Sequence, residues 1–112
     1  MSRDPYIPDR GDIIWLVLDP RVGHEQSGRR PAIVLSERYF TEHTQLAVIC
    51  PITSKVKGLP FEIVIKTENI DGAILPIHIR SVDVMARKAK FIEHASEAII
   101  AKTSKATELI MS

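Results

Sequence analysis

Cysteine is nearly absent from this chain of 112 residues: Cys50 stands alone. A disulfide within the chain is therefore impossible, and no set of thiolates exists to hold a structural zinc. Histidine offers no substitute, because His24, His43, His78 and His94 stand 19, 35 and 16 residues apart and no two share metal-ligand spacing. No metal and no cofactor are expected. Long apolar runs are missing too. The longest, Ile13 to Leu18, falls far short of the ~20 residues that span a bilayer. The opening MSRDPYIPDRGD carries no apolar stretch, so no signal peptide and no membrane contact are expected, and a soluble cytoplasmic protein is the default. Charge of one sign is also lacking: 15 Lys and Arg against 14 Asp and Glu leave +1. That balance excludes a histone-like polyanion binder, although it says nothing about local clustering.

What is present fits one domain over residues 1–112, with 45% apolar residues and enough length to bury a core without staples. There is no linker, repeat or low-complexity segment. An irregular arm ends at Gly11. Asp12 to Leu18 reads as a β-rich run, ended by Asp19-Pro20. Residues 20–30 form a polar loop. Pro31 to Ser36 reads as a second strand, Glu37 to Thr44 as one helical turn, and Leu46 to Cys50 as a third strand halted by Pro51. A basic loop follows over Thr53 to Gly58. Further strands are expected at Phe61 to Ile65, then, after a turn at Asn69 to Gly72, at Ala73 to Leu75 and Ile77 to Val84 with an interruption at Pro76, and at Ala86 to Ile92. Ser96 to Ile110 lacks Gly and Pro, and Ile99, Thr103, Ala106, Leu109 and Ile110 recur near helical spacing. Short strands followed by one amphipathic helix predict a mainly-β fold, a small barrel or curled sheet with a C-terminal helix.

Chemistry-bearing side chains gather in three segments. The first is Gly23-His24-Glu25-Gln26-Ser27-Gly28-Arg29-Arg30. An arginine fork matches a phosphate, and Arg30 immediately precedes a strand that would aim it. His24 has an unperturbed pKa suited to proton transfer, about 6.5. Composition alone favours a solvated loop here and an idle surface histidine. The second segment is Thr53-Ser54-Lys55 with Lys57, where hydroxyls past a strand end either bind a phosphate oxygen or merely cap a turn. The third runs from Arg80 to Lys90 and includes Arg87, a basic strip or a solvated strand face. Residues 21–30, 53–57 and 80–90 carry +2, +2 and +3, so the rest of the chain sums to −6. Cys50 reads as a small core residue. Trp15, amid Ile and Leu, reads as core packing before base stacking.

Taken in order, Gly11-Asp12-Ile13-Ile14-Trp15, Asp19-Pro20 with Gly23-His24-Glu25-Gln26, Gly28 to Ser36, Cys50-Pro51-Ile52-Thr53-Ser54, Lys57 to Glu62, Arg80-Ser81-Val82-Asp83 and Ala86-Arg87 resemble the MazF/PemK (Kid) family of toxin–antitoxin ribonucleases. The resemblance covers residues 9 to 110. It implies an SH3-like β-barrel with a C-terminal helix, usually a homodimer. It also implies sequence-specific, metal-independent cleavage of single-stranded RNA, chiefly mRNA, and a cognate antitoxin that covers the RNA groove. By position, Arg30 matches the family's catalytic arginine and Thr53 its catalytic threonine. His24 and Glu25 are candidates for moving protons. Gln26, Ser27, Arg29, Ser54, Lys55, Lys57, His78, Arg80 and Arg87 are candidates for RNA contact. The chain departs from the pattern at Ile77-His78, where members often carry Asp-Gln, and at Val84-Met85, where many carry Trp-Arg. His78 is then a substitute acid or base. Those departures leave a competing class open: a non-cleaving CcdB-like gyrase binder, or a plain SH3-like binding module.

Overall fold

The structure is a computed structural model that describes residues 5–18 and 28–112. Its elements are β1 (Asp12–Val17), β2 (Arg29–Val34), α1 (Arg38–Thr44), β3 (Leu46–Thr53), β4 (Ile63–Lys66), β5 (Asp71–Ile74), a 3-10 turn (Pro76–His78), β6 (Arg80–Asp83), β7 (Lys90–His94) and α2 (Glu97–Met111). The strands pair antiparallel in the order β4-β5-β3-β2-β1-β7, and β6 pairs β3. This is the mainly-β architecture with a C-terminal helix that the sequence predicts.

The sheet curls because β3 serves two short strands on one edge. Its first half, Leu46 to Ile49, pairs β6, and its end, Ile52 and Thr53, pairs β5. Between them lies Pro51, which was expected to halt the strand. The strand continues because the missing N–H falls at the junction of the two partners. There the Pro51 carbonyl still accepts from Leu75 N at 2.9 Å.

Alternate residues of β1, β2 and β3 pack into two separate cores. Ile13, Ile33, Cys50 and Ile52 face α2 and β5, whereas Ile14, Leu16, Ala32, Val34, Ala47 and Ile49 face Val82 and Val84. Burial on both faces explains why these strands read as continuous apolar runs rather than alternating ones. Cys50 is a core residue, and burial pushes its thiol up to about 12.

Ser96 caps α2, its hydroxyl accepting from Ile99 N at 3.2 Å. The packed face is Ile100, Thr103, Ala106 and Thr107. Leu109, which the spacing placed on that face, is 51% exposed. The last strand also starts later than expected: residues 84–88 are a turn, with Lys88 at φ 55, and β7 begins at Lys90. Gly11 has φ +94, and a β-carbon there would meet Ile100 Cδ1 at 2.5 Å and His94 Cε1 at 2.6 Å, so only glycine lets the arm turn into β1. The arm is fixed by its side chains. The Tyr6 hydroxyl donates to Asp12 Oδ2, and His94 Nδ1 lies 3.1 Å from Asp12 Oδ1. Burial first, then the Asp12 carboxylate, hold the Tyr6 hydroxyl protonated well above the usual phenol range. Among the described residues, no helix is long and apolar enough to cross a membrane.

Candidate nucleic-acid interface

Antiparallel pairing brings the exit of β1, the entry of β2 and the exit of β3 to one end of the sheet. A groove of about 900 Å³ opens there, lined by Trp15, Leu18, Gly28 to Pro31, Pro51 to Lys55, Asn69 to Asp71 and Leu75. Arg29 and Arg30 are the first two residues of β2, opposite Val17 and Leu16. The sequence reading ended its loop at Arg30; pairing with β1 instead draws both arginines into the strand.

The β2–β3 ladder runs Val34 with Ile49, Ile33 with Cys50 and Ala32 with Pro51. The ladder ends there, two residues short of Arg30 and Thr53, and both of these side chains line the groove. Arg30 is exposed and Thr53 half-buried. Thr53 Oγ1 accepts the Lys55 backbone N–H at 3.1 Å. That bond fixes the hydroxyl and occupies an acceptor position, leaving the proton to be donated to an anion. A guanidinium and a hydroxyl thus flank one space, with Lys55 beside it. This set suits a phosphodiester whose oxygens gain charge.

The other sequence candidates divide. Ser54 lines the same groove. Lys57 lies in the adjoining loop, whose backbone is clamped by Glu62: Lys57 N donates to Oε2 at 3.2 Å and Gly58 N to Oε1 at 2.8 Å. His78 is exposed in the 3-10 turn, three residues beyond the groove wall at Leu75, and Arg80 is exposed on β6, across β3 from β2. Neither lines the groove. Arg87 is committed elsewhere: its Nη1 donates to Val17 O at 2.9 Å and Leu18 O at 3.0 Å. It fastens the exit of β1 where the site loop departs. So Arg29 and Arg30 of the first segment converge with Thr53, Ser54 and Lys55 of the second, and Arg80 and Arg87 of the third do not join them. His24, Glu25, Gln26 and Ser27 lie outside the described residues.

Sequence reasoning missed Asn69, Asp71, Leu75 and Trp15 as groove residues. The turn expected at 69–72 falls earlier, at Glu68 and Asn69, because Asp71 and Gly72 already belong to β5, and nothing in the sequence told that β5 folds back against Thr53. Trp15 was assigned to the core; it is half-buried and forms part of the groove wall, with the Arg29 guanidinium over its ring.

Fold and groove together define a small mainly-β protein with a cleft lined by Arg29, Arg30 and Lys55 at one end of a curled sheet. Comparison with known proteins agrees. Residues 9–111 match the family model described as PemK-like, MazF-like toxin of type II toxin–antitoxin system, and the chain belongs to that family. It is 42% identical over 84 residues to the endoribonuclease toxin MazF of Escherichia coli K12, covering 75% of this chain and 76% of that protein. It is 34% identical over 98 residues to the endoribonuclease PemK of Escherichia coli, covering 82% and 73%. Among solved structures, MazF from Deinococcus radiodurans superposes with a TM-score of 0.86 at 37% identity, over 96% of this chain and 98% of that one. A MazE–MazF complex from the same organism gives 0.85 at 32% identity, over 96% and 97%.

Proposed function

We propose that this chain, residues 1–112 as one domain, is the toxin of a type II toxin–antitoxin pair, an endoribonuclease that cuts single-stranded mRNA in the cytoplasm. The single observation that carries the reading is the one groove that Arg30 and Thr53 line together with Arg29 and Lys55. A gyrase binder or a plain binding module has no need of that pair.

The chemistry follows from what the residues supply. The RNA's own 2′-oxygen attacks the adjacent phosphorus. The 2′-O–P bond forms, the P–O5′ bond breaks, and the products are a 2′,3′-cyclic phosphate and a 5′-hydroxyl end. No metal takes part in this scheme. Arg30 stabilises the charge gathering on the phosphoryl oxygens, and Thr53 donates a hydrogen bond to one of them. The 2′ proton must leave and the 5′ oxygen must gain one. His24 and Glu25 are the groups assigned to those transfers, with His78 as the substitute where members often carry Asp-Gln. Single-stranded RNA suits an open groove because its bases can be splayed apart.

A homodimer and a cognate antitoxin complete the proposal. Exposed Tyr39, Met85 and Met111, at 70%, 56% and 71%, supply apolar surface for protein contacts, and solved MazE–MazF complexes superpose on this chain. The experiment is to incubate the purified protein with a long natural RNA in excess EDTA and map the ends. The reading expects cuts at one short sequence, each leaving a 5′-hydroxyl. Gyrase inhibition with intact RNA would support the competing class instead.

A further inference from the structure

Two adjacent arginines enter the groove, and they are not equivalent. Successive strand residues project to opposite faces. Arg30 shares its face with Ala32 and Val34. Arg29 shares its face with Pro31, which stands opposite Trp15 in the β1–β2 register. Arg29 is therefore the diagonal neighbour of Trp15, at a separation that long side chains bridge on a common face. Its Cζ lies over the Trp15 ring, 5.2 Å from the centroid, within the ~6 Å reach of cation–π attraction. The indole is half-buried and braced between Pro31 on β2 and Lys90 on β7, while Arg29 is exposed. A phosphate contact needs none of this, since a free lysine or arginine supplies the charge. An arginine parked on an indole has a lowered entropic cost of ordering, and Arg29 and Trp15 both line the groove.

We propose that Trp15 and Arg29 form a stacking platform for one nucleobase flanking the scissile phosphate, so that the RNA strand straddles β2 with its phosphate at Arg30 and its base on Arg29. The inference rests on the endoribonuclease reading of the same groove. Bases stack on guanidinium planes and aromatic rings alike, and the interaction tolerates any base while still ranking purines above pyrimidines by stacking area. The platform positions the strand without touching the reacting atoms. Its loss therefore weakens binding more than it slows the chemical step.

The test uses Arg29→Lys, which keeps the charge and removes the plane at an exposed position. The substrate is an RNA oligonucleotide spanning a mapped cut. The expected result is a KM raised about tenfold, kcat within about threefold of the native value, and an unchanged salt slope of binding. An abasic nucleotide beside the cut should weaken the native protein by a similar factor and the Arg29→Lys protein hardly at all, the coupling that marks a direct contact. Trp15 is the sole tryptophan, so all indole fluorescence reports this site. A non-cleavable RNA with a 2′-deoxy sugar at the cut should quench it. Trp15→Phe, which retains a ring, should keep most of the affinity. A cutting protein whose Arg29→Lys variant keeps the native KM, or whose abasic and Arg29→Lys losses simply add at every flanking position, overturns the inference alone. A native chain that cuts no RNA overturns the endoribonuclease reading and this inference with it.

Discussion

A β-carbon added to Gly72 would lie 2.0 Å from the carbonyl oxygen of Thr53. The obstacle is backbone, not the end of a flexible side chain, so one of the two strands would have to move. β5 can lie against the end of β3 at Thr53 only because residue 72 has no side chain. Gly72→Ala is expected to cost about 1–3 kcal/mol of stability, the usual range for forcing atoms into a packed site. It should also lower RNA cleavage at temperatures where the protein remains folded. Denaturant unfolding and cleavage rates on the same preparation check both effects.

Arg30→Ala is expected to reduce cleavage by at least about 10²-fold, the usual loss when one donor to a charged transition state is removed. Because Arg30 is exposed, the melting temperature should stay near that of the native protein. Arg30→Lys should recover little, since an ammonium cannot reproduce the two-pronged donor geometry. Thr53→Ser should retain activity and Thr53→Ala should lose it, because the hydroxyl and its bond from Lys55 N are what the site uses.

Arg87 was read from the sequence as an RNA contact, and its guanidinium instead holds the Val17 and Leu18 carbonyls. Arg87→Ala is therefore expected to cost about 1–3 kcal/mol, from bonds that a charged donor makes to part-buried carbonyls. The salt dependence of RNA binding should change little. A drop in the salt slope by about one unit, with stability intact, would return Arg87 to the phosphate contacts.

Asp9 reaches across 29 positions to receive the Arg38 N–H at 2.8 Å, and it also receives the Arg10 N–H at 2.9 Å. Arg38 begins α1, whose own Glu37 makes no side-chain cap. These bonds, led by that from Arg38, hold the Asp9 carboxyl below the usual carboxylate range. A carboxylate with a depressed folded pKa contributes stability that is present above its unfolded value, near 3.9, and lost as pH falls through the folded one. Stability measured by urea unfolding should decline as pH drops below about 4. Asp9→Asn should flatten that part of the profile.

How far the sequence spoke for the fold depended on whether a signal was local. The apolar runs from Ile13 and Leu46, the break at Pro76 and the helix from Ser96 all came from near neighbours in the chain, and each lies where expected. The errors came from pairing. Pro51 would stop a strand flanked on both edges along its whole length, but its bare nitrogen faces a gap between two partners, so Thr53 sits in β3 and not in a loop. Arg29 and Arg30 join β2 because Val17 and Leu16 pair with them. Leu109 follows the helical period yet stays exposed, since α2 meets the sheet through Ile100, Thr103 and Ala106. The site was legible in part: Arg30, Thr53, Ser54, Lys55 and Arg29 share one groove. Trp15 was taken for core because its neighbours are apolar, and only its position near the end of β1 turns it toward the groove. The near-zero net charge hides this concentration of basic groups at one end of the sheet.

We infer that the substrate's own 2′-oxygen, in the groove that Arg30 and Thr53 line, breaks the RNA chain. It is tested most directly by two oligonucleotides identical except for one 2′-deoxy sugar on the 5′ side of the scissile phosphate, each incubated with the protein in excess EDTA. The account predicts that the all-ribose strand is cut, leaving a 2′,3′-cyclic phosphate and a 5′-hydroxyl, while the deoxy strand binds and stays whole. Cutting of the deoxy strand at the same position, or cutting of the ribose strand only when a divalent metal is restored, would contradict it.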